Sequence, residues 1–69
     1  MESLVLNVEG MMCEHCKAAV TRAVSALQGV SAVSVDLEAG RVTVMRDPAK
    51  ATADDIVGAI EEEGYEVVI

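Results

Sequence analysis

The sequence predicts an α+β fold in which two helices cover one face of a four-stranded antiparallel sheet. Four short segments alternate apolar residues with others at the period of a β-strand, and two longer segments repeat apolar residues at helical spacing. The order along the 69 residues is strand, helix, strand, strand, helix, strand. With right-handed crossovers and a central hairpin, that order predicts a two-layer sandwich.

The first strand and the first helix are separated by Gly10. Residues 4–8 alternate apolar leucine and valine with their neighbours, which is typical of a strand with one face on a core. From Cys16 onward the apolar residues fall on one helical stripe. We expect Gly29 to end this helix in a left-handed C-cap.

The middle of the chain predicts a hairpin followed by the second helix. Residues 33–37 and 42–44 alternate on either side of Gly40, which can supply the positive φ of a short turn. Thr52 and Asp55 then have the spacing of a capping box. The second helix is therefore expected to begin directly after Thr52.

The last strand is expected to cover residues 65–69, after Gly64 ends the second helix. The whole order of elements is that of a ferredoxin-like βαββαβ sandwich. In this arrangement the last strand runs antiparallel beside the first. Tyr65 should therefore flank the loop formed by residues 10–13.

Composition and charge narrow the function classes. Twelve acidic and five basic residues give a net charge of −7, which argues against nucleic acid and anionic membrane surfaces as partners. No apolar run approaches the ~18 residues of a membrane span, and the N-terminus lacks the features of a signal peptide. We expect one cytoplasmic domain, residues 1–69, without direct membrane insertion.

The two cysteines are the candidate chemical centre. We expect Cys13 in the loop and Cys16 in the first helical turn, where backbone N–H groups and the helix dipole favour a thiolate. Two thiolates suit a soft ion of low coordination number, above all Cu(I), whereas structural zinc normally takes four protein ligands. The same spacing also fits a thiol-disulfide redox pair, with Cys13 as nucleophile and Cys16 as resolving thiol.

The segment Gly10-Met11-Met12-Cys13-Glu14-His15-Cys16 resembles the Gly-Met-x-Cys-x-x-Cys signature of heavy-metal-associated domains. Among these domains it most resembles the free-standing bacterial copper chaperones. The resemblance implies the fold reached above, Cu(I) bound between the two cysteines, and carriage of metal without catalysis. It also implies two kinds of partner, namely the metal-binding domain of a copper-transporting P-type ATPase or a copper-responsive regulator. The residues that carry the likeness are Gly10-Met11-Met12-Cys13-Glu14-His15-Cys16, Gly29-Val30, Val33-Ser34-Val35-Asp36, Gly40 and Gly64-Tyr65.

The sequence allows two possible roles for several side chains near the cysteines. The resemblance implies that Met11 packs beneath the loop, and a third sulfur ligand is the alternative. Tyr65 matches an aromatic position beside the loop, where it shields the metal or is simply a half-buried strand residue. His15 is expected to face solvent, although it could be a third ligand. Lys17 could offset the charge of a bis-thiolate centre or be an ordinary surface lysine, and Met12 is expected to be exposed.

Three further alternatives stay open from the sequence. The chain could be an N-terminal metal-binding domain of a transport ATPase rather than a separate chaperone. The same motif occurs in mercury carriers, and the spacing alone does not separate Cu(I) from Ag(I), Hg(II), Cd(II) or Zn(II). Exposed thiols would also allow two copies to share copper in a metal-bridged homodimer.

Overall fold

The computed structural model describes residues 2–11 and 13–68 and confirms the predicted ferredoxin-like sandwich. The strands form one sheet in the order β2-β3-β1-β4, and every neighbouring pair is antiparallel. Within the described residues, neither helix is long and apolar enough to cross a bilayer. The elements are β1 (Glu2–Glu9), α1 (Glu14–Ser25), β2 (Val30–Asp36), β3 (Arg41–Arg46), α2 (Ala53–Glu62) and β4 (Glu66–Val68).

Both helices pack on the same face of the sheet because alternate strand residues point into a single core. Val5 and Met45 lie on the other face and are exposed. The core is aliphatic, with no aromatic side chain among the fully buried residues described. Its buried members are Leu6, Val8, Met11, Val20, Val24, Val42, Val44, Ala51, Ile56 and Ile60.

The sheet register brings the cysteine loop and the start of β4 to one end of the molecule. Glu9, the last residue of β1, lies opposite Glu66, the first residue of β4. The β2–β3 turn reaches the same end, since the Val8 amide donates a hydrogen bond to the Gly40 carbonyl at 2.7 Å. The expected position of the last strand beside the first is confirmed.

The second helix begins where the sequence predicts. The Thr52 hydroxyl accepts a hydrogen bond from the Asp55 amide at 3.2 Å, and the Asp55 carboxylate accepts one from the Thr52 amide at 3.3 Å. This reciprocal pair satisfies two amide groups that the helix itself leaves without partners. β4 begins at Glu66, one residue later than predicted, and the expected end of that strand at Ile69 lies outside the described residues.

The predicted C-cap at Gly29 is wrong. Helix α1 ends at Ser25, and Ala26 is its C-cap with an ordinary right-handed φ of −73°. Gly29 has a φ of +97°, but it lies in the turn into β2. A Cβ at Gly29 would be 2.6 Å from the Cβ of Lys50. The glycine is therefore required by a close tertiary approach rather than by the helix end.

Candidate metal centre

The two cysteines lie where the sequence places them, at the junction of the loop and α1. Cys13 is the N-cap residue, with extended backbone angles, and Cys16 is the third residue of the helix. The Cys13 carbonyl accepts the first helical hydrogen bond, from the Lys17 amide at 3.1 Å. The Cys13 thiol makes no capping hydrogen bond to the helix, and its hydrogen-bond partner is the Cys16 sulfur.

The two sulfur atoms are close together without being joined. Their Sγ atoms lie 3.2 Å apart, and neither cysteine is in a disulfide. A covalent S–S bond would be about 2 Å long. Cys13 is exposed and Cys16 is half-buried. Both sulfurs can therefore act on one ion, and one of them is open to solvent.

Met11 lies in the hydrophobic core. Its exposed fraction is 3%, and it belongs to the same buried cluster as the core-facing residues of both helices. Because Met11 precedes Cys13 by two positions, its burial anchors the loop between β1 and α1 to the core. Met12, which the sequence predicts to be exposed, lies outside the described residues.

Tyr65 lies against the cysteine loop. A Cβ at Gly10 would be 3.7 Å from the Cδ1 atom of Tyr65. A hydrogen bond to Cys16 raises the pKa of Tyr65 to about 12, with smaller contributions from burial and from the negative charges of Cys16, Cys13 and Glu63. A hydrogen bond that raises the pKa of a phenol stabilises its protonated form, so the Tyr65 hydroxyl is the donor. Topology predicts the proximity but not this hydrogen bond.

Two charged or polar neighbours lie on α1. His15 is exposed, and Lys17 is half-buried. Within residues 2–11 and 13–68, no group of three or more histidine, cysteine or acidic side chains is arranged to hold a metal ion. The candidate donors that the structure brings together in the described loop are the two cysteine sulfurs.

Charge is unevenly distributed over the two helices. Basic residues Lys17 and Arg22 lie on α1, whereas α2 carries acidic residues. Each helix borders an open groove, of about 420 Å³ for α1 and about 360 Å³ for α2. The first groove is lined by Glu14, Lys17, Ala18, Thr21 and Arg22. The second is lined by Leu27, Asp54, Asp55, Gly58, Ala59 and Glu62.

Two thiols in this arrangement would bind a soft metal ion that can be exchanged with other ligands. Thiolates prefer soft ions, and a pair of them leaves a bound ion with open coordination positions. A structural zinc site would need further ligands. The same two thiols could also be oxidised to a disulfide, because both sulfurs are already near each other.

The comparisons with known proteins agree with this geometry. The family model described as heavy-metal-associated domain matches residues 5–66. The copper chaperone CopZ of Bacillus subtilis (strain 168) is 54% identical over 67 residues, which cover 97% of this chain and 97% of that protein. The curated relative is named for carrying copper and not for an enzymatic reaction.

Solved structures give the same result at the level of the fold. A CopZ metallochaperone matches with a TM-score of 0.95 and 45% identity, over 97% of this chain and 100% of that one. A copper-binding domain from HMA7, a P-type ATPase, matches with a TM-score of 0.94 and 35% identity, over 100% of this chain and 93% of that one. The chain belongs to the heavy-metal-associated domain family.

Proposed function

We propose that this protein is a copper chaperone, which binds Cu(I) between Cys13 and Cys16 and passes it to another protein by exchange of thiolate ligands. Cu(I) is its cargo, and no substrate is chemically transformed. The observation that carries the proposal is the 3.2 Å separation of the two sulfur atoms at the exposed end of the sandwich. The copper-chaperone relatives support copper as the metal.

Transfer depends on the small number of ligands. An ion held by two sulfurs leaves room for a thiolate from the partner, which would give a three-coordinate bridged intermediate. The sulfurs of the donor protein then leave one at a time. Cys13 is the more exposed of the two, so it is the ligand that an incoming thiolate reaches more readily.

Of four neighbours of the two cysteines, three are assigned supporting roles. Burial of Met11 in the core favours packing over ligation. The hydrogen bond from Tyr65 to Cys16 favours a role in holding that sulfur in place. His15 is exposed and Lys17 is half-buried beside the loop. We assign His15 no ligand role in the monomer, and we assign Lys17 a favourable charge next to a bis-thiolate centre.

The proposed partners are the metal-binding domain of a copper-transporting P-type ATPase or a copper-responsive regulator. The structural match to the copper-binding domain from HMA7, a P-type ATPase, supports the first of these, because similar domains can present matching thiol pairs. The separate basic and acidic grooves would orient docking. We place the transfer of copper in the cytoplasm, where thiols stay reduced. We also propose a metal-bridged homodimer as a further form of the copper-loaded protein.

A competition titration under reducing conditions tests the assignment of metal and ligands. The wild-type protein, Cys13→Ser and Cys16→Ser are each titrated with Cu(I) and with Zn(II) against a chelator of known affinity. We expect tight Cu(I) binding by the wild type alone, weaker Zn(II) binding, and unchanged circular dichroism for both variants. A preference for Zn(II), or native Cu(I) affinity in either variant, would contradict the proposal.

A thiol-disulfide oxidoreductase is the second candidate, favoured by the same short distance between the sulfurs. In that reaction the Cys13 thiolate attacks a substrate disulfide, and Cys16 then resolves the mixed disulfide. Two electrons and two protons pass to the substrate, and the protein is left with an internal disulfide. Turnover of a model disulfide by a preparation that lacks tight Cu(I) affinity would favour this candidate over the chaperone.

A further inference from the structure

Three pairs of charged residues face each other across neighbouring strands of the described sheet. Glu2 lies opposite Arg46, and Asp36 lies opposite Arg41, so these two pairs have opposite charges. The third pair is Glu9 opposite Glu66, with two like charges. Opposite charges stabilise a cross-strand pair, and like charges directly opposite each other destabilise it.

The like-charged pair lies in the shortest pairing of the sheet. β4 has only three residues and is an edge strand, so its backbone is held on one side by β1. Its other two pairs are Asn7 with Val68 and Val8 with Val67, which add no opposite charge. Both glutamates are exposed, so neither charge is removed by burial. Pairing of β4 is therefore weakest at its first residue.

That first residue is joined directly to the tyrosine at the cysteine loop. Glu66 follows Tyr65 in the chain, and Glu9 precedes Gly10, which lies against the Tyr65 ring. On the other side of Tyr65, Gly64 has a φ of +94° and would have no steric contact at an added Cβ. Tyr65 is thus held by partial packing against the core, by its contact with the loop and by its hydrogen bond to Cys16, with little support from the pairing of β4.

We propose that repulsion between Glu9 and Glu66 keeps the start of β4 loosely paired, so that Tyr65 can move away from Cys16 when an incoming thiolate approaches the metal. Glu9 and Glu66 are positioning residues that act through Tyr65 and do not touch the cargo. The role in metal release rests on the proposed function, whereas the weak pairing of β4 does not.

Hydrogen exchange of the metal-free protein tests the pairing. Glu66→Gln removes one charge at nearly constant shape, and Glu38→Gln removes the same charge from the β2–β3 turn as a matched control. We expect exchange of the protected amides in residues 66–68 to slow by about two- to five-fold in Glu66→Gln and not in the control. Glu9→Gln should slow hydrogen exchange in residues 66–68 to a similar degree. The double variant should exchange little more slowly than either single variant.

Release of Cu(I) tests the role of Tyr65. The loaded wild type, Glu66→Gln and Glu38→Gln are mixed with an excess of a small dithiol, and the rate of metal loss is followed. We expect slower loss from Glu66→Gln only. In a Tyr65→Ala background, Glu66→Gln should no longer change the rate, a result that a merely structural role of Glu66 would not produce.

Each outcome decides one part of the proposal. Equal hydrogen exchange in Glu66→Gln and Glu38→Gln would overturn the weak pairing of β4. Slower hydrogen exchange in Glu66→Gln with an unchanged rate of Cu(I) loss would overturn the role of Tyr65 movement in metal release. The same holds if Glu66→Gln still changes the rate of Cu(I) loss in the Tyr65→Ala background. Failure of the wild type to bind Cu(I) would contradict the proposed function and with it the role of Tyr65 in metal release. Hydrogen exchange would still decide whether β4 is weakly paired with β1.

Discussion

Substitution of Met11 separates its two readings, because leucine and alanine change the side chain in different ways. Met11→Leu keeps the volume of the side chain and removes the sulfur. Met11→Ala removes most of the volume as well. If Met11 serves packing alone, then Met11→Leu should keep the Cu(I) affinity of the wild type, and only Met11→Ala should be strongly destabilised.

The magnitudes follow from the burial of Met11, which is 3% exposed and in contact with the main core. Volume-conserving swaps in a core usually cost less than about 1.5 kcal/mol, and Met→Ala costs about 2 to 5 kcal/mol. A chain of this length has about 3 to 10 kcal/mol of total stability. Met11→Ala should therefore lower Tm by at least ~8 °C, since each kcal/mol corresponds to about 4 to 8 °C in small domains.

The assay combines urea unfolding of the metal-free variants with Cu(I) competition on the same preparations. We expect Met11→Leu to match the wild type in affinity within about two-fold, at a small loss of unfolding free energy. A Met11→Leu variant with near-native stability and a ten-fold or greater loss of Cu(I) affinity would refute the packing interpretation. The sulfur of Met11 would then have to contribute to metal binding.

Three further predictions concern stability and titration. Thr52→Ala should lower the unfolding free energy by about 1 kcal/mol, because it removes the cap of α2, and chemical denaturation measures this. Gly29→Ala should lower the unfolding free energy by about 1 to 3 kcal/mol, because Gly29 has a φ of +97° and an added Cβ would meet the Lys50 Cβ. The control Gly58→Ala, where an added Cβ meets no atom within 4 Å, should leave the unfolding free energy unchanged or raise it. Tyr65 is the single tyrosine, so phenolate absorbance should show a pKa of about 12 rather than 10.0 in the folded protein. Since the folded state holds this proton more tightly, the stabilising contribution is present below pH 10.0 and is lost as pH rises toward about 12.

Much of the fold could be predicted from local patterns in the sequence. Alternation in residues 4–8 and the Thr52 capping box are short-range signals, and the structure confirms both. The position of Gly29 misled the prediction because a glycine after a helical stripe also fits a C-cap. Its true constraint is contact with Lys50, which is distant in sequence.

Only the general location of the candidate site could be predicted from the sequence. The spacing of Cys13 and Cys16 and the strand order bring the thiols and Tyr65 to the same end. The hydrogen bond from Tyr65 to Cys16 depends on side-chain conformation, and the opposition of Glu9 and Glu66 depends on the exact register of β4. Alternation defines the faces of a strand but leaves shifts of two residues open. The extent of the domain over residues 1–69 stays a prediction.

Direct handover of metal tests the central claim most simply. The copper-loaded protein is mixed with a metal-free heavy-metal-associated domain of a P-type ATPase, in the presence of a chelator that captures any Cu(I) released into solution. The two proteins are then separated and their copper is measured. We predict that copper moves to the ATPase domain while the chelator stays empty. Copper found on the chelator instead, or retained entirely by the donor at excess acceptor, would contradict the chaperone function.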